Sequence, residues 1–135
     1  MNLLRHIFPV LCATMLLASC AEEDPIEPET DPKDKFIGTW NVKEEIAGQV
    51  TGNYPSVVTS DASNTSNIVL GNIYNLGTAV KIKALVINNS LDISLQTLTG
   101  VNIVGTGTYS GTGYILNYTA DDGSGAQTVK ATYTK

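Results

Sequence analysis

From Phe36 to Lys135 large apolar residues recur at every second position, and this regularity restricts the fold more than any other feature of the sequence. Trp40, Val42 and Ile46 alternate with Asn41, Lys43 and Glu45; Val80, Ile82, Ala84 and Val86 alternate with Lys81 and Lys83; Leu91, Ile93 and Leu95 alternate with Asp92, Ser94 and Gln96. Successive side chains of a strand point to opposite faces, so segments of this kind are half-buried strands. Similar runs at 54–60, 67–74, 101–109, 113–119 and 127–134 are separated by turn-forming clusters such as Asn88-Asn89-Ser90 and Asp121-Asp122-Gly123-Ser124-Gly125. The expectation is an all-β domain of about eight strands with no helix. Its short connections imply antiparallel neighbours in sequence order, and such strands can close into an up-and-down barrel that is filled by side chains or holds one small ligand. A β-sandwich of the immunoglobulin type is the alternative, although the Cys-Trp-Cys spacing of antibody domains is absent.

Before residue 36 the period of two disappears. Arg5 precedes the apolar run Ile7 to Leu17, which only Pro9 and Thr14 interrupt. A membrane-spanning helix needs about 20 apolar residues, so this run has the size of a signal-peptide core instead. Leu17-Ala18-Ser19-Cys20 follows and resembles the lipobox of bacterial lipoproteins. The resemblance implies removal of residues 1–19, acylation of Cys20 and a membrane partner held through lipid, since more than one acyl chain gives stable anchoring. Residues 21–35 hold seven acids and three prolines against one large apolar side chain, Ile26, too little to bury against the entropy of ordering. They read as an acidic tether of up to roughly 45 Å at about 3.1 Å per residue, leaving 36–135 as the folded domain.

Loss of residues 1–19 also removes chemistry. Every histidine, arginine and methionine lies in that segment, and beyond Cys20 there is no further thiol. An enzyme would have to work with Asp, Glu, Lys, Tyr, Ser and Thr, and neither a nucleophile elbow nor metal-ligand spacing is present, so no catalytic residue, metal or cofactor is expected. Within 36–135, Lys43, Lys81, Lys83, Lys130 and Lys135 face Glu44, Glu45, Asp61, Asp92, Asp121 and Asp122, which leaves no basic surface for nucleic acid. Gly105-Thr106-Gly107 and Gly111-Thr112-Gly113 look like phosphate loops, but no helical pattern follows either; glycines on a strand more often admit a bulky neighbour. Asp121-Asp122-Gly123 reads as a hairpin turn.

The segments FIGTWNVKEE (36–45), NIVLGNIYNLG (67–77), LDISLQ (91–96), VNIVGTGTYSG (101–111) and LNYTADDG (116–123), with the closing VKATYTK, are similar to small lipocalin-like lipoproteins of Bacteroidota. The resemblance implies a calycin-type barrel plugged at one end by Gly38 and Trp40. True lipocalins set an arginine of a late strand against this tryptophan, and here Lys130 or Lys135 would have to substitute. The acids Glu22, Glu23 and Asp24 resemble an export signal that carries such lipoproteins to the cell surface, with the periplasmic face of the outer membrane as the alternative. The function expected is non-catalytic binding of a small amphipathic or hydrophobic ligand; the alternative is a filled barrel that acts as a surface structural or interaction protein. Tyr114 and Tyr118 share a strand face with Leu116, and Tyr109 and Tyr133 come from flanking strands, so these four tyrosines are candidates to face a ligand. Glu44 joins them: strict alternation sends it inward with Val42 and Ile46, where its partners would be tyrosine hydroxyls or Lys130, whereas a bulge at Lys43–Glu45 would turn it outward.

Overall fold

The computed structural model describes residues 28–135, so the signal segment, Cys20 and the acids Glu22, Glu23 and Asp24 lie outside the described residues. Eight strands follow one another: β1 (Gly38–Ile46), β2 (Gln49–Ser60), β3 (Asn67–Gly71), β4 (Lys81–Ile87), β5 (Ser90–Leu98), β6 (Val101–Ser110), β7 (Gly113–Asp121) and β8 (Gln127–Thr134). Each pairs antiparallel with its neighbour in sequence, and β1 pairs with β8 from Asn41 opposite Thr134 to Ile46 opposite Val129, which closes the barrel. A sandwich would leave separate sheet edges at this point. The ring has none, so the sandwich alternative is set aside.

Turn chemistry explains the tight connections. Ala47 and Gly48 both have positive φ, 50° and 76°, the geometry by which a two-residue hairpin follows the twist of its strands. Inward residues are those the alternation marks: Trp40 and Val42, Ile68 and Leu70, Ile82 and Ala84, Leu91 and Ile93, Tyr114, Leu116 and Tyr118, and Val129, Ala131 and Tyr133 are all buried. Gly105 of β6 lies opposite Tyr118 of β7, and a Cβ there would collide with the tyrosine stem. Its role is therefore close approach, not phosphate binding.

The barrel has two different ends. At the lower end, where β1 begins, the chain enters through turns around Asp31–Phe36, with Asp31 accepting the Lys33 backbone N–H at 3.0 Å and pairing with its Nζ at 3.2 Å. Lys33 and Phe36 are buried there. The last residues of the acidic tether are thus folded onto the barrel, because a local carboxylate satisfies the turn that composition alone does not foresee. At the upper end, the run read as strand through residue 74 leaves the sheet at Gly71 and makes one turn of 3-10 helix, Ile73–Asn75. Asn72, Tyr74 and Asn75 have left-handed φ of 58°, 54° and 51°, which no strand can contain.

This upper turn sits on a loosely attached unit. β3 pairs with β2 only through Val58–Ser60, and β4 pairs with β5 only through Leu85–Ile87, both near the lower end. Toward the upper end side chains replace the ladder. Ser56 Oγ donates to the Gly71 carbonyl at 2.6 Å, Asn72 Nδ2 donates to the Pro55 carbonyl at 3.0 Å, and the Gln96 amide exchanges hydrogen bonds of 3.0 and 2.8 Å with the Lys83 backbone N–H and carbonyl.

Candidate functional site

Glu44 is the one acidic side chain inside the barrel among the described residues, 3 % exposed and flanked on β1 by inward Val42. A bulge does interrupt the β1–β2 ladder, between Glu44 and Glu45, but the extra residue is Thr51 on β2: Glu44 faces Gly52 and Glu45 faces Val50. A bulge on the partner strand leaves the alternation of β1 intact through residue 44, so Glu44 stays inward. Beyond it the phase is lost, and Glu45 and Ile46 are both half-buried.

Two tyrosine hydroxyls, of Tyr54 on β2 and Tyr118 on β7, donate to Glu44 Oε1. Burial, and then the neighbouring carboxylate, push both phenols well above the usual tyrosine range, so they remain protonated donors. Tyr133 on β8 is shifted the same way, first by burial and then by the Glu44 charge. The hydroxyls of Tyr133 and Tyr114 are buried without a hydrogen-bond partner among the described residues. Above the carboxylate lies the 3-10 turn. Tyr74 packs edge-on against Tyr118 with ring centroids 6.4 Å apart and donates its hydroxyl to Gln127 Oε1 at 3.1 Å, while Ile73 is fully buried.

The other predicted residues fall elsewhere. Trp40 is buried at the lower end, donates Nε1–H to the Phe36 carbonyl at 2.7 Å and meets Tyr114 edge-on at 5.0 Å. Tyr114 stacks on Tyr133 at 4.3 Å and meets Phe36 at 5.3 Å, so it belongs to this plug. Tyr109 lies at the same end, half-buried against Phe36 at 5.5 Å with its hydroxyl donated to the Gly111 carbonyl. The four tyrosines therefore do not form one ligand-facing group; only Tyr118 touches Glu44, and Tyr133 lies between site and plug. Lys130 is outward and exposed, opposite Glu45 and Asn117, and is neither the partner of Glu44 nor the cation over the tryptophan. That cation is Lys135, whose Nζ sits 4.0 Å from the Trp40 ring centroid and donates to the Ile37 carbonyl at 3.2 Å. Gly38 makes the approach possible: its φ is 126°, and a Cβ there would lie 2.5 Å from Nζ.

Tyr54, Tyr74 and Gly52 were not singled out from the sequence. Counting back across the Ala47-Gly48 hairpin brings the 50–54 stretch over Val42 and Glu44, but the bulge at Thr51 shifts that count by one. Concavities along β1 and β2 open outward: one of about 580 Å³ lies over Asn41, Lys43, Asn53 and Thr132, and one of about 250 Å³ over Val57, Val69, Thr78 and Lys81. No group of three or more His, Cys, Asp or Glu able to hold a metal occurs among the described residues. No family model matches the chain, and no curated protein matches it.

Proposed function

We propose that this protein is a lipid-anchored, non-catalytic barrel of the outer membrane, displayed at the cell surface, that binds a small amphipathic molecule at its upper end. The observation that carries the reading is Glu44: a carboxylate inside a barrel whose other inward groups are apolar side chains, tyrosines and Ser56, with phenol donors and no cation within ion-pair distance among the described residues. Burying a charge is costly unless it is fully paired, and an apolar side chain of similar volume would serve packing at least as well. A carboxylate kept in such a place is a functional-site candidate, and a few polar groups within apolar walls are the usual make-up of a small-molecule site. The lipobox resemblance at Leu17–Cys20, the export-like acids Glu22, Glu23 and Asp24, and the lipocalin-like closure of the barrel support the anchor, the location and the class.

A second reading, a scaffold whose barrel holds no ligand, is favoured by the density of the interior, where Trp40, Tyr114, Leu116, Tyr118 and Tyr133 are all at most 2 % exposed. In it Glu44 ties β2 to β7 and seals the end. Native mass spectrometry of protein purified from its own host separates the two. A retained small mass, lost on denaturation, is the outcome expected for the binder; bare protein under gentle release conditions favours the scaffold. Palmitate labelling that survives Cys20→Ala would overturn the anchor.

A further inference from the structure

The upper end combines three independent features. Glu44 Oε1 takes both hydroxyl donors, while Oε2 has no hydrogen-bond partner among the described residues. Beside Oε2 lies half-buried Gly52, where a Cβ would stand 3.7 Å from this oxygen and 3.4 Å from the Tyr54 ring. The absent methyl leaves a notch that reaches an unshared carboxylate oxygen. Tyr54 borders it with its ring, Tyr118 reaches the same carboxylate through its hydroxyl, and Tyr74 packs edge-on against Tyr118 with ring centroids 6.4 Å apart; aromatic rings attract cations most strongly where water is excluded. The nearby lysines of β1 and β8, Lys43 and Lys130, are on the outer face, so no side chain of the described residues fills the place of a cation. Finally, the roof over this place is the strained turn of the loosely laddered β3–β4 unit. Tyr74 holds left-handed backbone there, φ 54°, a conformation that is costly for a bulky residue, whereas Asn72 and Asn75 on either side adopt it readily.

We infer that Glu44 Oε2 and the rings of Tyr54, Tyr118 and Tyr74 receive the ammonium group of a small amphipathic amine, which enters by displacing the Ile73–Asn75 turn. The inference rests on the binding reading above and names its ligand class. An ammonium N–H pairs with Oε2, the rings surround the charge, and the apolar part of the ligand takes the volume that Ile73 and Tyr74 occupy in the closed form. An anion meets the carboxylate and is repelled; a neutral alcohol keeps the apolar contacts but leaves the carboxylate without its counter-charge.

The test uses the full chain with fluorotyrosine incorporated, observed by fluorine NMR, and three probes of matched shape: phenethylamine, 2-phenylethanol and 3-phenylpropanoate. Phenethylamine is expected to shift the Tyr54, Tyr74 and Tyr118 signals saturably, to leave Tyr109 at the plugged end unmoved, and to bind roughly tenfold more tightly than the alcohol, with the carboxylate probe silent. Glu44→Gln should remove the preference for the amine. Gly52→Ala, whose methyl meets only ordinary contacts, should weaken the amine more than the alcohol and leave the melting temperature unchanged, so it carries the test if Glu44→Gln does not fold. Equal binding of amine and alcohol at the same tyrosines overturns the ammonium site while leaving the binding reading in place. Saturable shifts confined to Tyr109, or no shift with any probe, overturn both.

Discussion

Trp40 holds the lower end through packing, one hydrogen bond and one cation, and these contributions are separable. Truncating a buried tryptophan typically removes about 3–5 kcal/mol, a large part of the roughly 5–15 kcal/mol that stabilises a domain. Trp40→Ala should accordingly shift the urea midpoint far down or prevent folding, as read by circular dichroism. Lys135 is exposed, so its charge over the ring contributes less, about 0.5–1 kcal/mol. Lys135→Met should lose roughly that amount in urea titrations and Lys135→Arg should keep most of it; equal loss in both would show that charge over the ring is not what Lys135 contributes. Glu44 illustrates what one residue can reveal before a structure exists. Alternation along β1 pointed it inward toward tyrosine hydroxyls, but whether that direction held depended on which strand carries the bulge, a matter decided by pairing with β2 and not by the local pattern.

Among the elements, the β3–β4 unit is the least tied. Ladder bonds join it to β2 and β5 only near the lower end, whereas β6 and β7 pair along their whole length from Asn102 opposite Asp121 to Ser110 opposite Gly113. Amides of Asn72 to Ile82 should therefore exchange with deuterium well before those of β6 and β7, and uniform protection around the barrel would contradict the seam. The base of the same unit is held electrostatically. Asp61, after β2, lies 2.8 Å from Lys83 Nζ and accepts from the Ser63 backbone N–H at 2.9 Å and its hydroxyl at 2.7 Å. Lys83 first, and then Ser63, hold the Asp61 carboxyl well below the usual carboxylate range. A lowered value in the folded state means a contribution that is present at neutral pH, starts to fall from about pH 4 and is lost only as pH drops through the lowered folded-state value. The melting-temperature gap between the parent and Asp61→Asn should be full at pH 7, begin to narrow below about pH 4 and still be narrowing at the lowest pH at which the parent remains folded. Strand elements were legible in the sequence because half-burial writes a period of two. The first half of β2, with Gly52 and Pro55, and the turn at Ile73–Asn75 were not, because bulges and left-handed residues obey tertiary contacts that leave no periodic trace.

At the scale of the whole molecule, the described chain enters the barrel at the lower end, opposite the Glu44 end. The ring itself has a further consequence for how the chain reaches this state. Seven of the eight seams join strands adjacent in sequence and can zip locally, but the eighth, β1 with β8, joins residues about ninety positions apart and must wait for the rest. Loop closure of that span is an entropic cost met late, so the order of assembly is written into the connectivity. Small-to-alanine or conservative truncations on the β1–β8 seam, such as Val129→Ala, should chiefly accelerate unfolding, while equivalent changes within β6–β7, such as Ile103→Val, should chiefly slow folding, as read from the two arms of a chevron plot. The inverse pattern would mean that closure nucleates the fold. With this order, the nascent chain carries two open sheet edges until its last strand is in place, and the interval before that final pairing is when it is most exposed to strand exchange with another copy of itself.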